Sequence, residues 1–140
     1  MIEIELLNGE IYIDQQPIDD SPKHLISTNK SGDKYFSATK SDLEINNYIF
    51  KITKHYKNSH VTSLTILLDP KWIKDNYNSN NSDYKDYITQ YISFCKEHIN
   101  ILLDSLLNTK KRKFAWGKIQ ILTDPRDPMV FAEVKYYKKT

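Results

Sequence analysis

The residues able to do chemistry are few and poorly grouped. Cys95 and His98 stand three apart, as neighbours on one helical face would. A nucleophile needs a base within hydrogen-bond reach and a third group to orient that base. Cys95, however, falls on an apolar stripe, where cysteine is ordinarily buried and inert. The four histidines, His24, His55, His60 and His98, form neither HxH nor HxxxH, and there is no CxxC pair, so no metal site is expected. His55 and His60 flank a turn and would face each other across it. The three glycines, Gly9, Gly32 and Gly117, build no phosphate-cradling loop ahead of a helix. Glu3, Glu5 and Asp14 are carboxylates borne on strands, without a pocket to raise a pKa. The chain reads as a binding protein and not an enzyme, with no cofactor, no metal and no obligate small molecule.

Charge is more informative. Six acids, Glu3, Glu5, Glu10, Asp14, Asp19 and Asp20, precede the first Lys or Arg at Lys23, although the whole chain carries a net +2. Such segregation predicts an acidic face on an otherwise basic protein. A basic run, Lys110-Lys111-Arg112-Lys113, follows the longest apolar periodicity, where cations suit a helix C-terminus.

The elements that must carry these residues follow from periodicity. Ile2–Leu7 and Glu10–Asp14 alternate around Asn8-Gly9, the signature of a two-residue turn. Closing on that turn pairs Leu6 with Ile11 and Ile4 with Ile13 on the core face. It leaves Glu3, Glu5, Tyr12 and Asp14 outside. Residues 15–34, with Pro17, Pro22 and Gly32, read as loop, with one helical turn near Pro22–Ile26 capped by Ser21. A short strand follows at Lys34–Ala38. Ile45–Tyr56 and His60–Leu68 form a second hairpin, ended by Asp69-Pro70. Asn78–Ser82 can cap a helix, with Asp83 and Asp86 in its first turn. Tyr84, Ile88, Tyr91, Cys95, Ile99, Leu102 and Leu106 then trace one helical stripe. Phe114–Thr123 and Met129–Tyr137 make a closing hairpin around Asp124–Pro128. Val130, Ala132, Val134 and Tyr136 lie on one of its faces. Gly117 marks a bulge or a close backbone approach.

Hairpins segregated from one helix predict an α+β fold. It would be an antiparallel sheet of about six strands in hairpins, with one long amphipathic helix packed on one face. At 140 residues this is one domain, 1–140. A single cysteine, no leader pattern and no span of roughly 20 apolar residues predict a soluble, cytoplasmic protein with no membrane partner.

The C-terminal third resembles a widespread group of small bacterial proteins. Their pattern is a long helix, an aromatic, W-G-x-I, a D-P-[RK] turn and a last strand ending in Tyr. Here these are Phe114, Trp116-Gly117, Ile119, Asp124-Pro125-Arg126 and Tyr136. The segment Gly9-Glu10-Ile11-Tyr12-Ile13 and the second hairpin follow the group's order, so the resemblance spans most of the chain in organisation and the last third in motif. Asp127-Pro128 departs from the small or glycine residues usual after the turn. Many of these proteins look like immunity proteins of contact-dependent inhibition and polymorphic toxin systems, which neutralise a toxin by binding it. The resemblance therefore implies a cognate protein toxin as partner. A nuclease toxin would be basic, since it must attract phosphates, and the acidic hairpin would complement it. The contact candidates are Glu3, Glu5, Glu10, Tyr12, Asp14, Asp19 and Asp20. Trp116 is expected to anchor against the helix. Two other readings remain: a nucleic-acid-binding domain using Lys110–Lys113 and the tyrosine-bearing strands, and a structural adaptor.

Overall fold

Residues 2–17, 23–77, 84–124 and 127–137 are described by a computed structural model. In chain order the strands are β1 (Ile2–Ile4), β2 (Ile11–Ile13), β3 (Gln16–Pro17), β4 (His24–Thr28), β5 (Lys34–Ile45), β6 (Tyr48–Lys57) and β7 (His60–Leu68). Helices α1 (Pro70–Asn76) and α2 (Tyr84–Leu107) follow, then β8 (Lys113–Phe114), β9 (Gly117–Asp124) and β10 (Met129–Tyr136). Two antiparallel sheets result, one ordered β1-β2-β3 and one of seven strands ordered β4-β5-β6-β7-β10-β9-β8.

Alternation builds the centre. On β6 the side chains of Tyr48, Phe50 and Ile52 are buried, on β7 Leu64, Ile66 and Leu68, and on β10 Val130, Ala132 and Val134. Paired residues share a face, so these rows form one apolar surface. Helix α2 lays Cys95, Ile99, Leu102, Leu103, Leu106 and Leu107 on it, and β1 adds Ile2 and Ile4 beside the helix. Each such side chain taken from water contributes about 1.5–3 kcal/mol. The predicted helical stripe is the buried stripe from Cys95 to Leu106. The expected cap at Asn78–Ser82 and Asp83 lies outside the described residues.

Several expectations are corrected. There are ten strands and two helices among the described residues, not about six and one. The predicted helical turn at Pro22–Ile26 is instead strand β4 from His24, paired along β5 (Pro22 and Ser21 lie outside the described residues). Pairing with the next strand satisfies backbone groups that a single helical turn would leave open. Strand β5 runs to Ile45, seven residues past the predicted end, and absorbs Ser41-Asp42 as a bulge with Asp42 at φ +57°. Asn46-Asn47, both at positive φ, turn the chain before Tyr48, so Ile45 belongs to β5 and not to the second hairpin. Asparagine tolerates that left-handed region better than other side chains do.

Asp69-Pro70 does end β7, and it also starts α1. The Asp69 carboxylate accepts from Lys71 N–H at 2.9 Å and Trp72 N–H at 3.1 Å, while Pro70 fills a first-turn position that needs no donor. Trp72 is buried and its Nε1–H donates to Asn47 O at 2.7 Å, which ties α1 to the β5–β6 turn.

Candidate functional site

The acidic hairpin forms, but in a different register. Ile2 lies opposite Ile13, Glu3 opposite Tyr12 and Ile4 opposite Ile11. The predicted partners are displaced by two residues, which preserves which side chains face the core. Ile2, Ile4 and Ile11 are buried with Ile13 against them, and Leu6 is not. Residues 5–10 form a wider loop, with Glu5 N–H donating to Glu10 O at 2.8 Å and Gly9 N–H donating to Glu5 O at 2.7 Å. The loop leaves Leu6 43% and Leu7 87% exposed beside the acids, although Leu6 was expected on the core face.

The outward face carries the expected residues in part. Glu3 is exposed and sits opposite Tyr12. Glu10 is exposed, and its carboxylate accepts from the Tyr12 hydroxyl at 3.1 Å. Glu5 follows in the same ladder. Glu3, Glu5, Glu10 and Tyr12 are therefore brought together. Asp14 is exposed at φ +50° in the turn that leads to β3. Asp19 and Asp20 lie outside the described residues.

The closing hairpin holds this loop in place. Strands β8 and β9 pair Phe114 with Gly117, so Ala115-Trp116 is a two-residue turn. The Trp116 ring stacks on Phe114 with centroids 4.9 Å apart, and its Nε1–H donates to Leu6 O at 2.8 Å. A Cβ on Gly9, at φ +75°, would stand 2.5 Å from Trp116 Cζ3. Trp116 thus seats the N-terminal loop, and it also packs against the core that α2 lines. The Tyr136 hydroxyl donates to Gly9 O at 2.7 Å. Burial drives its pKa upward, with a smaller push from Glu10. Gly117 is a close approach, as expected: a Cβ there would collide with the Lys135 carbonyl oxygen.

The other chemistry-bearing residues are dispersed. Cys95 is buried, and burial pushes its thiol up, away from the nucleophilic thiolate. His98 bonds through Nδ1 to the Tyr48 hydroxyl at 2.8 Å and packs its ring 4.3 Å from Phe94. His55 and His60 do not face each other, because Ser63 lies opposite His55 and Lys57 opposite His60. His55 Nε2 bonds to Thr65 Oγ1 at 2.7 Å. No group of three or more His, Cys, Asp or Glu side chains able to hold a metal occurs among the described residues. No helix among them is long and apolar enough to cross a membrane.

The basic run divides. Arg112 turns back onto α2, pairing with Asp104 and donating to Asn100 O at 3.1 Å and Thr109 O at 3.4 Å. Lys113 joins β8 opposite Lys118, which in turn lies opposite Lys135. Three lysines therefore form a row across adjacent strands, on the sheet face away from the buried Ile119 and Val134.

Neither a protein-family model nor a curated protein matches the chain. Its fold is similar to that of a chain in the solved structure of Rhs1-CT in complex with cognate immunity protein RhsI1. The TM-score is 0.55 at 8% identity, over 97% of this chain and 87% of that one, so the likeness is one of fold.

Proposed function

We propose that this chain is an immunity protein that neutralises a cognate bacterial toxin, a nuclease domain, by one-to-one binding. The observation that carries the reading is the fold, similar over 97% of the chain to a chain from a toxin–immunity complex. The acidic outward face supports it. Glu3, Glu5, Glu10 and Tyr12 lie together on a hairpin braced from behind by Trp116 and Tyr136. A braced acidic surface suits a basic partner, because charge complementarity speeds encounter and a fixed loop loses little entropy on binding. Asp14, Asp19 and Asp20 extend the proposed contact set. Toxins of contact-dependent inhibition and related polymorphic systems are the partner class, and the bacterial cytoplasm is the place of action.

The test is co-purification and titration with the toxin domain encoded beside this chain. A 1:1 complex with loss of nuclease activity is expected, and no complex at micromolar concentrations refutes the proposal. The triple variant Glu3→Lys, Glu5→Lys, Asp14→Lys should slow association at low salt about tenfold or more and flatten its salt dependence. Unchanged association kinetics would remove the acidic face from the interface. A second reading, nucleic-acid binding, is favoured by the Lys113–Lys118–Lys135 row. It requires oligonucleotide affinity that falls steeply with salt and is lost in Lys118→Glu.

A further inference from the structure

We infer that the partner docks by adding a strand to the free edge of β1, and that this strand carries Lys or Arg. The inference rests on the proposed immunity function and deepens it. Strand β1 is an edge: among the described residues it pairs with β2 alone. The Glu5 N–H donates to Glu10 O across the hairpin. In an antiparallel ladder such bonded positions alternate with positions whose N–H and C=O point outward. Glu3 therefore bonds toward β2 as Glu5 does, and Ile2 and Ile4 direct their backbone groups away from it. Their side chains are buried, and among the described residues no second strand pairs with their outward amides and carbonyls. Edge strands left with such groups are templates for pairing.

A groove of about 380 Å³ runs along this edge, lined by residues 2–6 on one side and 105–108 on the other. Its second wall is the C-terminal end of α2. No basic residue occupies the last turn of that helix, and its C-terminal end reaches the groove at Leu107 and Asn108, while Arg112 of the following basic run folds back onto Asp104. Glu3 and Glu5 stand on the first wall. Two carboxylates and a helix C-terminus favour a cationic occupant over an acidic or purely apolar one. Edge strand β4 differs: it exposes Leu25 and Ile26 and carries no acid, so it lacks this charge preference.

The experiment uses the whole chain in its 1:1 complex with the adjacent-gene toxin domain, followed by residue-resolved amide hydrogen exchange. The Ile2 and Ile4 amides should slow at least tenfold on binding. A Ser105→Trp variant, which places an indole on the groove wall and loses the bond from Asn46 Nδ2, should remain folded by circular dichroism and bind at least tenfold more weakly. A complex that forms with unchanged Ile2 and Ile4 exchange, or that tolerates Ser105→Trp, overturns strand addition and leaves the immunity reading standing. Absence of any complex defeats both. Slow exchange at these amides in the free chain, together with a dimer in sedimentation, would assign the edge to a second copy and likewise overturn the inference.

Discussion

Replacing Gly9 by alanine tests whether Trp116 seats the N-terminal loop. Two costs add. An L-residue at φ +75° pays about 1–2 kcal/mol for the left-handed conformation. The new methyl would lie 2.5–2.8 Å from three carbon atoms of the Trp116 ring, so the ring must move. Overpacking of this kind costs about 1–3 kcal/mol. The ring cannot swing freely, since Phe114 stacks on it and its Nε1–H is bonded to Leu6 O. The expected total is about 3 kcal/mol. With a urea m-value of about 2 kcal/mol/M, the midpoint should fall by roughly 1.5 M. In a Trp116→Ala background only the conformational cost remains, so Gly9→Ala should then cost about 1–2 kcal/mol. The difference is the coupling energy between the two positions. A Gly9→Ala variant within 0.5 kcal/mol of wild type would refute the packing argument, and an equal cost in both backgrounds would reduce it to backbone strain alone.

Three further outcomes are expected. Asp69→Ala should destabilise by about 1 kcal/mol in urea melts, because two first-turn N–H groups of α1 lose their acceptor; Asp69→Asn should recover most of it. Leu102→Ala, at the fully buried centre of the α2 face, should cost about 2–5 kcal/mol, and a smaller loss would mean that the sheet collapses onto the helix. The third concerns pH. Burial lowers the pKa of His55, with Glu133 opposing weakly. The folded state therefore refuses a proton that the unfolded state accepts below about pH 6.5, and stability should decline as pH falls through that value toward the folded pKa. Urea midpoints from pH 8 to pH 5 should show a shallower decline in His55→Gln than in wild type; parallel curves would contradict the burial argument.

Local patterns carried the helix and the strands whose alternation is strict. The run from Cys95 to Leu106 and the rows on β6, β7 and β10 needed only period 3.6 or 2 to be read. The N-terminal hairpin shows the limit. Asn8-Gly9 satisfied every local criterion for a two-residue turn, yet Gly9 meets its conformational requirement in a wider loop whose shape depends on Trp116 and Tyr136, more than 100 residues away. Strand β4 was hidden for a related reason, since its exposed residues have no alternation and only its partner β5 defines it. Asp69-Pro70 was ambiguous: the same pair stops a strand and caps a helix. For the candidate site, the segregation of acids was legible. The exposed Leu6 and Leu7 were not, because β1 ends at Ile4 and both leucines fall in the loop, which alternation alone does not reveal.

The bracing of the first loop by the last hairpin has a consequence for synthesis. Contacts spanning 110 residues from Leu6 to Trp116 and 127 from Gly9 to Tyr136 cannot form until those late residues have left the ribosome. The Leu6–Gly9 loop is made early and locked late. Strand β1 and its acids wait in an unfinished nascent chain, and a product that stops short of Trp116 never presents them in their final geometry. The geometry of the acidic loop is thus set by residues at the far end of the fold, and its final shape is a late event of folding.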